Sequence, residues 1–122
     1  MLQRHYLEDR SLDLITNITD EPIQRHILIF ERGEAVVTLR HLPTVEMWKM
    51  RVEYNDGYID GVKLSLGTLH FRHKNWPFDI ALICTDGSGI DPYRADDFVS
   101  GRIEMYLVTP EEMIDIRGGD VP

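Results

Sequence analysis

The chain has 122 residues and a mass of 14.2 kDa, with 43% apolar residues, enough for one domain with a modest core and too few for a second independent one. Its 21 acidic residues outnumber 13 basic ones, so the formal charge of −8 opposes a phosphate backbone and argues against a direct nucleic-acid partner. A single cysteine rules out an intrachain disulfide and fits a reducing compartment, while the absence of an apolar leader at Met1-Leu2-Gln3-Arg4-His5 and of any apolar run near ~18 residues predicts neither a secretory precursor nor a membrane span.

Residues 1–20 are mixed and charged, with Leu2, Tyr6, Leu12, Leu14, Ile15 and Ile18 at no persistent period. They read as an N-terminal arm that orders against a neighbouring chain. Pro22 closes the arm, and a β domain over 21–110 follows. Ile23 to Glu31, centred on Ile27-Leu28-Ile29-Phe30, has strand length and ends at the turn formers Arg32-Gly33-Glu34. Ala35 to Arg40 is short and β-branched and stops before Pro43, which predicts a first hairpin over Ile23 to Arg40.

From Met47 to Leu66 the pattern is clearest. Trp48, Met50, Val52 and Tyr54 share one parity and Lys49, Arg51 and Glu53 the other, so a period of two gives a strand with one dry face. Asn55-Asp56-Gly57 reverses the chain, and Val62, Leu64 and Leu66 alternate with Lys63 and Ser65, completing a second hairpin with Trp48, Met50, Val52 and Leu64 in the core. Thr68 to Phe71 either continues that strand or makes a helical turn, and Arg72-His73-Lys74-Asn75 is an exposed basic loop before Trp76-Pro77-Phe78.

Ile80 to Thr85 is apolar enough for a strand buried on both faces, with Cys84 a small buried hydrophobe. Asp86-Gly87-Ser88-Gly89 ends it, and Asp91 to Asp97 forms a loop. Arg102 to Val108 is the last strand, with Ile103, Met105 and Leu107 on one parity. Beyond Pro110, residues 111–122 make an acidic, glycine-ended C-terminal tail. The predicted class is mainly β: a small antiparallel β-sandwich or barrel-like domain with irregular N- and C-terminal arms.

Few residues carry chemistry. Gly87-Ser88-Gly89 lacks the third glycine of a dinucleotide fingerprint, the Lys-Ser/Thr of a phosphate loop and the flanking glycines of a nucleophile elbow, so it reads as a turn. His70 and His73 could share a metal only on one helical face, since an extended chain would point them apart. Asp86, Asp91, Asp96 and Asp97 do not follow the ligand spacing of a calcium loop. No spacing makes two carboxylates or histidines cooperate, and no catalytic activity, metal or cofactor is expected. Trp76, Pro77 and Phe78, beside a basic loop, are either a core plug or an anchor for another protein; together with Tyr93, another loop aromatic, they are the candidate partner-binding residues.

The order of elements from about Ile23 to Met113 resembles the small baseplate plug proteins of contractile-tailed bacteriophages. The resemblance rests on the strand and turn Ile27 to Gly33, the strand Ala35 to Arg40, the tryptophan strand Glu46 to Val52, and the turn and Gly-Val-x-Leu segment Asp60 to Gly67. It continues through the apolar strand Ile80 to Cys84, the aspartate-bearing loop Asp91 to Phe98, and the closing strand Arg102 to Leu107 with its Tyr-Leu pair. Asn75 to Asp79 stands where members often carry a Pro-Gly-Gly-like segment, and the N-terminal arm has no counterpart. The resemblance implies a non-enzymatic virion protein, made in the host cytoplasm. It would dock to the baseplate hub and other tail proteins at the distal end of the tail tube and help plug or organise the lumen before contraction. Copies of the chain could ring the channel in a cyclic assembly. Two other readings compete: a stand-alone small β-barrel that binds a ligand or partner, and a small hydrolase with a cryptic site.

Overall fold

A computed structural model describes residues 13–109. Four strands follow one another as an antiparallel meander: β2 (Ile23–Phe30), β3 (Gly33–Leu42), β4 (Met47–Tyr54) and β5 (Gly57–Lys63). A second, three-stranded sheet has the order β1-β7-β6, from β1 (Asp13–Leu14), β7 (Ile103–Val108) and β6 (Asp79–Cys84). The two sheets close on one apolar cluster, and no closed barrel forms among the described residues.

Alternation decides which side of the meander is dry. Ala35, Val37 and Leu39 of β3 and Trp48, Met50 and Val52 of β4 are at most 1% exposed, and Leu64 just beyond β5 is fully buried. On the facing sheet Ile80 and Leu82 join Ile103, Met105 and Leu107. The predicted core of Trp48, Met50, Val52 and Leu64 is therefore observed, and both predicted hairpins form. Their turns are tight: Phe30 pairs with Gly33 and Tyr54 with Gly57, leaving two residues in each turn. Asn55 takes φ +54°, the left-handed conformation such a connection uses.

Within β5 the pairing slips by one residue: Met50 faces Val62 while Val52 faces Ile59, so Asp60 and Gly61 together oppose Arg51. This is a β-bulge with Gly61 at φ +69°. Its consequence is that Ile59 and Val62, which strict alternation would put on opposite faces, both pack against the core.

Several boundaries and faces differ from the sequence reading. The arm expected over 1–20 belongs to the domain from Asp13 onward, because β1 pairs with β7, Ile15 N–H donates to Met105 O at 2.9 Å, and Ile18 is buried. Residues 1–12 of that arm and the tail 111–122 lie outside the described residues. The apolar strand begins at Asp79 and is not buried on both faces throughout: Ile83 is 42% exposed, and Cys84 is half-buried, packed against the core while its thiol donates to Asp86 and meets Ser88 Oγ. The last strand begins at Ile103, one residue after Arg102, whose side chain enters a buried ion pair. Thr68 to Phe71 makes a turn, followed by a single 3-10 turn, Arg72–Lys74, which Asn75 ends at φ +49°. On the outer side of edge strand β2, Ile23, Ile27 and Ile29 remain exposed.

The long connection 85–102 between β6 and β7 folds back over the wide end of β4. Trp48 Nε1–H donates to Arg94 O at 2.9 Å, His41 Nε2 lies 2.9 Å from Tyr93 O, and Phe98 meets the Trp48 ring edge-on at 5.2 Å. Trp48 is thus both core filler and the strut under this connection. Trp48→Ala is expected to cost about 3–5 kcal/mol in chemical denaturation, the range for a buried aromatic; a loss below about 0.5 kcal/mol would show that the indole is not packed as described.

Candidate functional site

Three polar clusters, two of them buried and one at an exposed turn, hold the described residues together. Asp97 is fully buried and bound by Arg102 in two parallel contacts, Nε to Oδ1 at 2.8 Å and Nη2 to Oδ2 at 2.9 Å. Asp97 Oδ2 also accepts the N–H groups of Tyr93 and Arg94, while the remaining donors of Arg102 reach Ser88 Oγ, Ile90 O and Asp91 O at 3.0–3.1 Å. All five guanidinium N–H groups are thereby used. Burial would raise the Asp97 pKa, but Arg102 and the two backbone N–H groups outweigh it and hold the carboxyl at about 2.

Asp79, 1% exposed, accepts from the N–H groups of His70, Phe71 and Ile80 at 2.7–3.1 Å. Burial pushes its pKa up, against the pull of those three donors. His70 takes a hydrogen bond from Ser65 N–H on Nε2, so its proton sits on Nδ1 and donates to Ile80 O at 2.6 Å. Both ring nitrogens are engaged, and His73 lies exposed in the 3-10 turn. At Gly87-Ser88-Gly89 the Ser88 N–H and the Cys84 thiol both donate to Asp86 Oδ1, which holds that carboxylate below its usual range and shapes a turn. Among the described residues no three His, Cys, Asp or Glu side chains gather as metal ligands, and no helix is long and apolar enough to cross a membrane. These clusters act as fasteners.

A different arrangement occupies the other end of β4. There the aromatic rings of Phe30, Tyr54, Phe71, Trp76 and Phe78 interlock at centroid distances of 4.8–5.8 Å. Trp76 lies nearly parallel to Phe78, with 10° between planes, and Lys74 Nζ stands 5.3 Å from the Trp76 ring. The Trp76 ring is half-buried and forms one wall of a cleft of about 780 Å³ that opens between the β4–β5 turn and the segment 71–79. Arg32, Asn55, Arg72 and Asn75 line it with polar groups. A Cβ built on Gly57 would sit 3.7 Å from Trp76 Cζ2, an ordinary contact, so the turn closes directly over the indole edge.

The four candidate residues divide. Trp76 and Pro77 are half-buried on the cleft wall, and Phe78, 1% exposed, is core beneath them. Tyr93 is elsewhere: its ring lies 5.2 Å from the guanidinium carbons of both Arg94 and Arg102, beside the Trp48 end of β4. Tyr54 and Trp48 are six residues apart on that strand, so Tyr93 stands roughly 20 Å from the Trp76 cleft. Sequence reasoning found the basic loop and the Asn-Asp-Gly turn but not their apposition, and nothing local to Arg32 indicates that the β2–β3 turn brings it to the same cleft. No family model matches the chain, and a comparison with curated proteins finds no match.

Two outcomes follow from this geometry. Arg102→Met leaves Asp97 buried without its counter-charge and is expected to cost about 3–5 kcal/mol at neutral pH. Because the folded carboxyl sits below its ordinary 3.8, the stability it contributes is full above about pH 4 and is lost as pH falls toward 2, so the deficit of the variant should shrink over that window in urea denaturation. Separately, Phe78→Ser should abolish the cooperative circular-dichroism transition whereas Trp76→Ser should preserve it; the same loss in both would place Trp76 in the core.

Proposed function

We propose that this chain is a non-enzymatic structural component of a contractile phage tail baseplate. In this reading it docks to the central hub at the distal end of the tail tube and helps to plug or organise the lumen before contraction. The order of elements from Ile23 to Met113 supports the baseplate context, and a mainly β domain fits it. The observation that carries docking is the half-buried Trp76, fixed by four neighbouring groups and presented on the wall of an open cleft. An aromatic held in place before binding loses little rotamer entropy when a partner covers it, which is the property of an interface anchor.

A stand-alone ligand- or partner-binding module is the second reading, favoured by the cleft volume, which lies within the ~300–1,000 Å³ usual for small-molecule sites. Its barrel form is not adopted. Pull-down with a baseplate hub protein, together with size-exclusion chromatography of the mixture, separates the two. Hub capture of the wild type, weakened in Trp76→Ser by about 2 kcal/mol or roughly thirtyfold in Kd, is the expected result. A folded Trp76→Ser variant that binds the hub with unchanged affinity would remove the anchor assignment, and a wild type that never binds the hub would remove the baseplate reading.

A further inference from the structure

The Trp76 cleft differs in electrostatic character from the molecule that carries it. In a chain of net charge −8, the cleft is lined by two guanidinium groups, Arg32 and Arg72, with the Lys74 ammonium over the adjacent indole. Neither arginine nor Lys74 forms an ion pair with any described residue, a state they share with Arg25, Arg40 and Lys49, and what sets them apart is that they gather around one cleft. The single carboxylate in the lining, Asp79, has its oxygens occupied by three backbone N–H groups, and Asp56 at the tip of the β4–β5 turn does not line the cleft.

The polar groups are also biased toward donors. The guanidinium groups and the Trp76 indole N–H donate only, while the side-chain amides of Asn55 and Asn75 can donate or accept, and neither the indole nor the amides have a hydrogen-bond partner among the described residues. A ligand matched to this wall must be rich in acceptors, anionic at two or more points spaced across the cleft, and apolar where it meets the indole. Planar guanidinium groups select carboxylates in particular, through two parallel N–H contacts. A long polyanion would have to lie along a surface whose total charge repels it, while a short acidic segment meets only the local field.

We infer that the cleft receives an extended acidic peptide segment of a partner protein, its carboxylates on Arg32 and Arg72 and an apolar side chain against Trp76. This rests on the docking reading of the same site and adds the chemistry of the partner. It gives the two exposed arginines a role in orientation and in the rate of encounter, with Trp76 supplying the apolar contact.

The test uses the full 122-residue chain, labelled with nitrogen-15. It is titrated with an acetylated, amidated hexapeptide in which aspartates flank a Leu-Phe pair, with a twin carrying lysines in place of the aspartates, and with a short oligothymidine. The two tryptophans give two indole N–H signals, and Trp48, already bonded to Arg94 O, is the internal reference. The expected result is a saturable shift of the Trp76 signal with the acidic peptide, weakened about tenfold or more in Arg32→Glu/Arg72→Glu and weakened by salt. Equal binding of the lysine twin, stronger binding of the oligothymidine, or an unmoved Trp76 signal at millimolar acidic peptide would overturn the inference. If the acidic peptide fails while Trp76→Ser still loses hub capture, the docking site stands and its proposed chemistry falls. If the peptide binds and the hub does not, the chemistry stands and the baseplate partner falls.

Discussion

The buried contact between Asp97 and Arg102 is the constraint on which the rest of the architecture depends. Strands β6 and β7 are adjacent and antiparallel, yet the chain between them, 85–102, is far longer than a hairpin needs. Left unanchored, that length would cost loop entropy and expose backbone polar groups. Arg102 gathers the connection by reaching Ser88, Ile90 and Asp91 on one side and Asp97 on the other, and Asp97 in turn fixes the N–H groups of Tyr93 and Arg94. Once those carbonyls and amides are placed, Arg94 O and Tyr93 O meet Trp48 and His41, and the connection becomes a cover for the core. Asp91, held in the same connection, extends the effect by accepting from Leu66 N–H and Lys63 Nζ, which ties down the chain after β5.

Strand β4 carries load at both ends for different reasons. At Trp48 the contacts are hydrogen-bonded and enclosed, as suits a joint that must not move. At Tyr54 they are aromatic and open on one side, so that Trp76 is braced from beneath by Phe78 while one surface stays available. Asp79 supports this second end: its carboxylate collects the N–H groups of His70 and Phe71, and His70 in turn bridges Ser65 and Ile80. The segment that presents Trp76 is therefore stitched to β6 before any partner arrives. Rigid presentation of an anchor is consistent with a protein whose work is done through interfaces, and with a cleft whose cations remain unpaired among the described residues.

What the sequence determined by itself is the class of the fold and the identity of most of its core. Alternation at Trp48, Met50, Val52 and Tyr54, or at Ile103, Met105 and Leu107, is a property of neighbouring residues, and a period of two admits only one dry face per strand. Turn chemistry is similarly local, which is why Asn55-Asp56-Gly57 located its hairpin. What only the tertiary structure decided is everything that depends on residues distant along the chain. The exposure of Ile83 is set by which face of β6 meets the other sheet, and the bulge at Gly61 by register against β4. The pairing of Asp97 with Arg102 depends on a backbone reversal that no local pattern announces. Trp76 and Phe78 show the limit most plainly: two similar residues, two positions apart around one proline, one on a cleft wall and the other in the core. Their segment belongs to no strand, so no period assigns them a side, and their separate fates follow from the packing of Phe30, Tyr54 and Phe71 around Phe78.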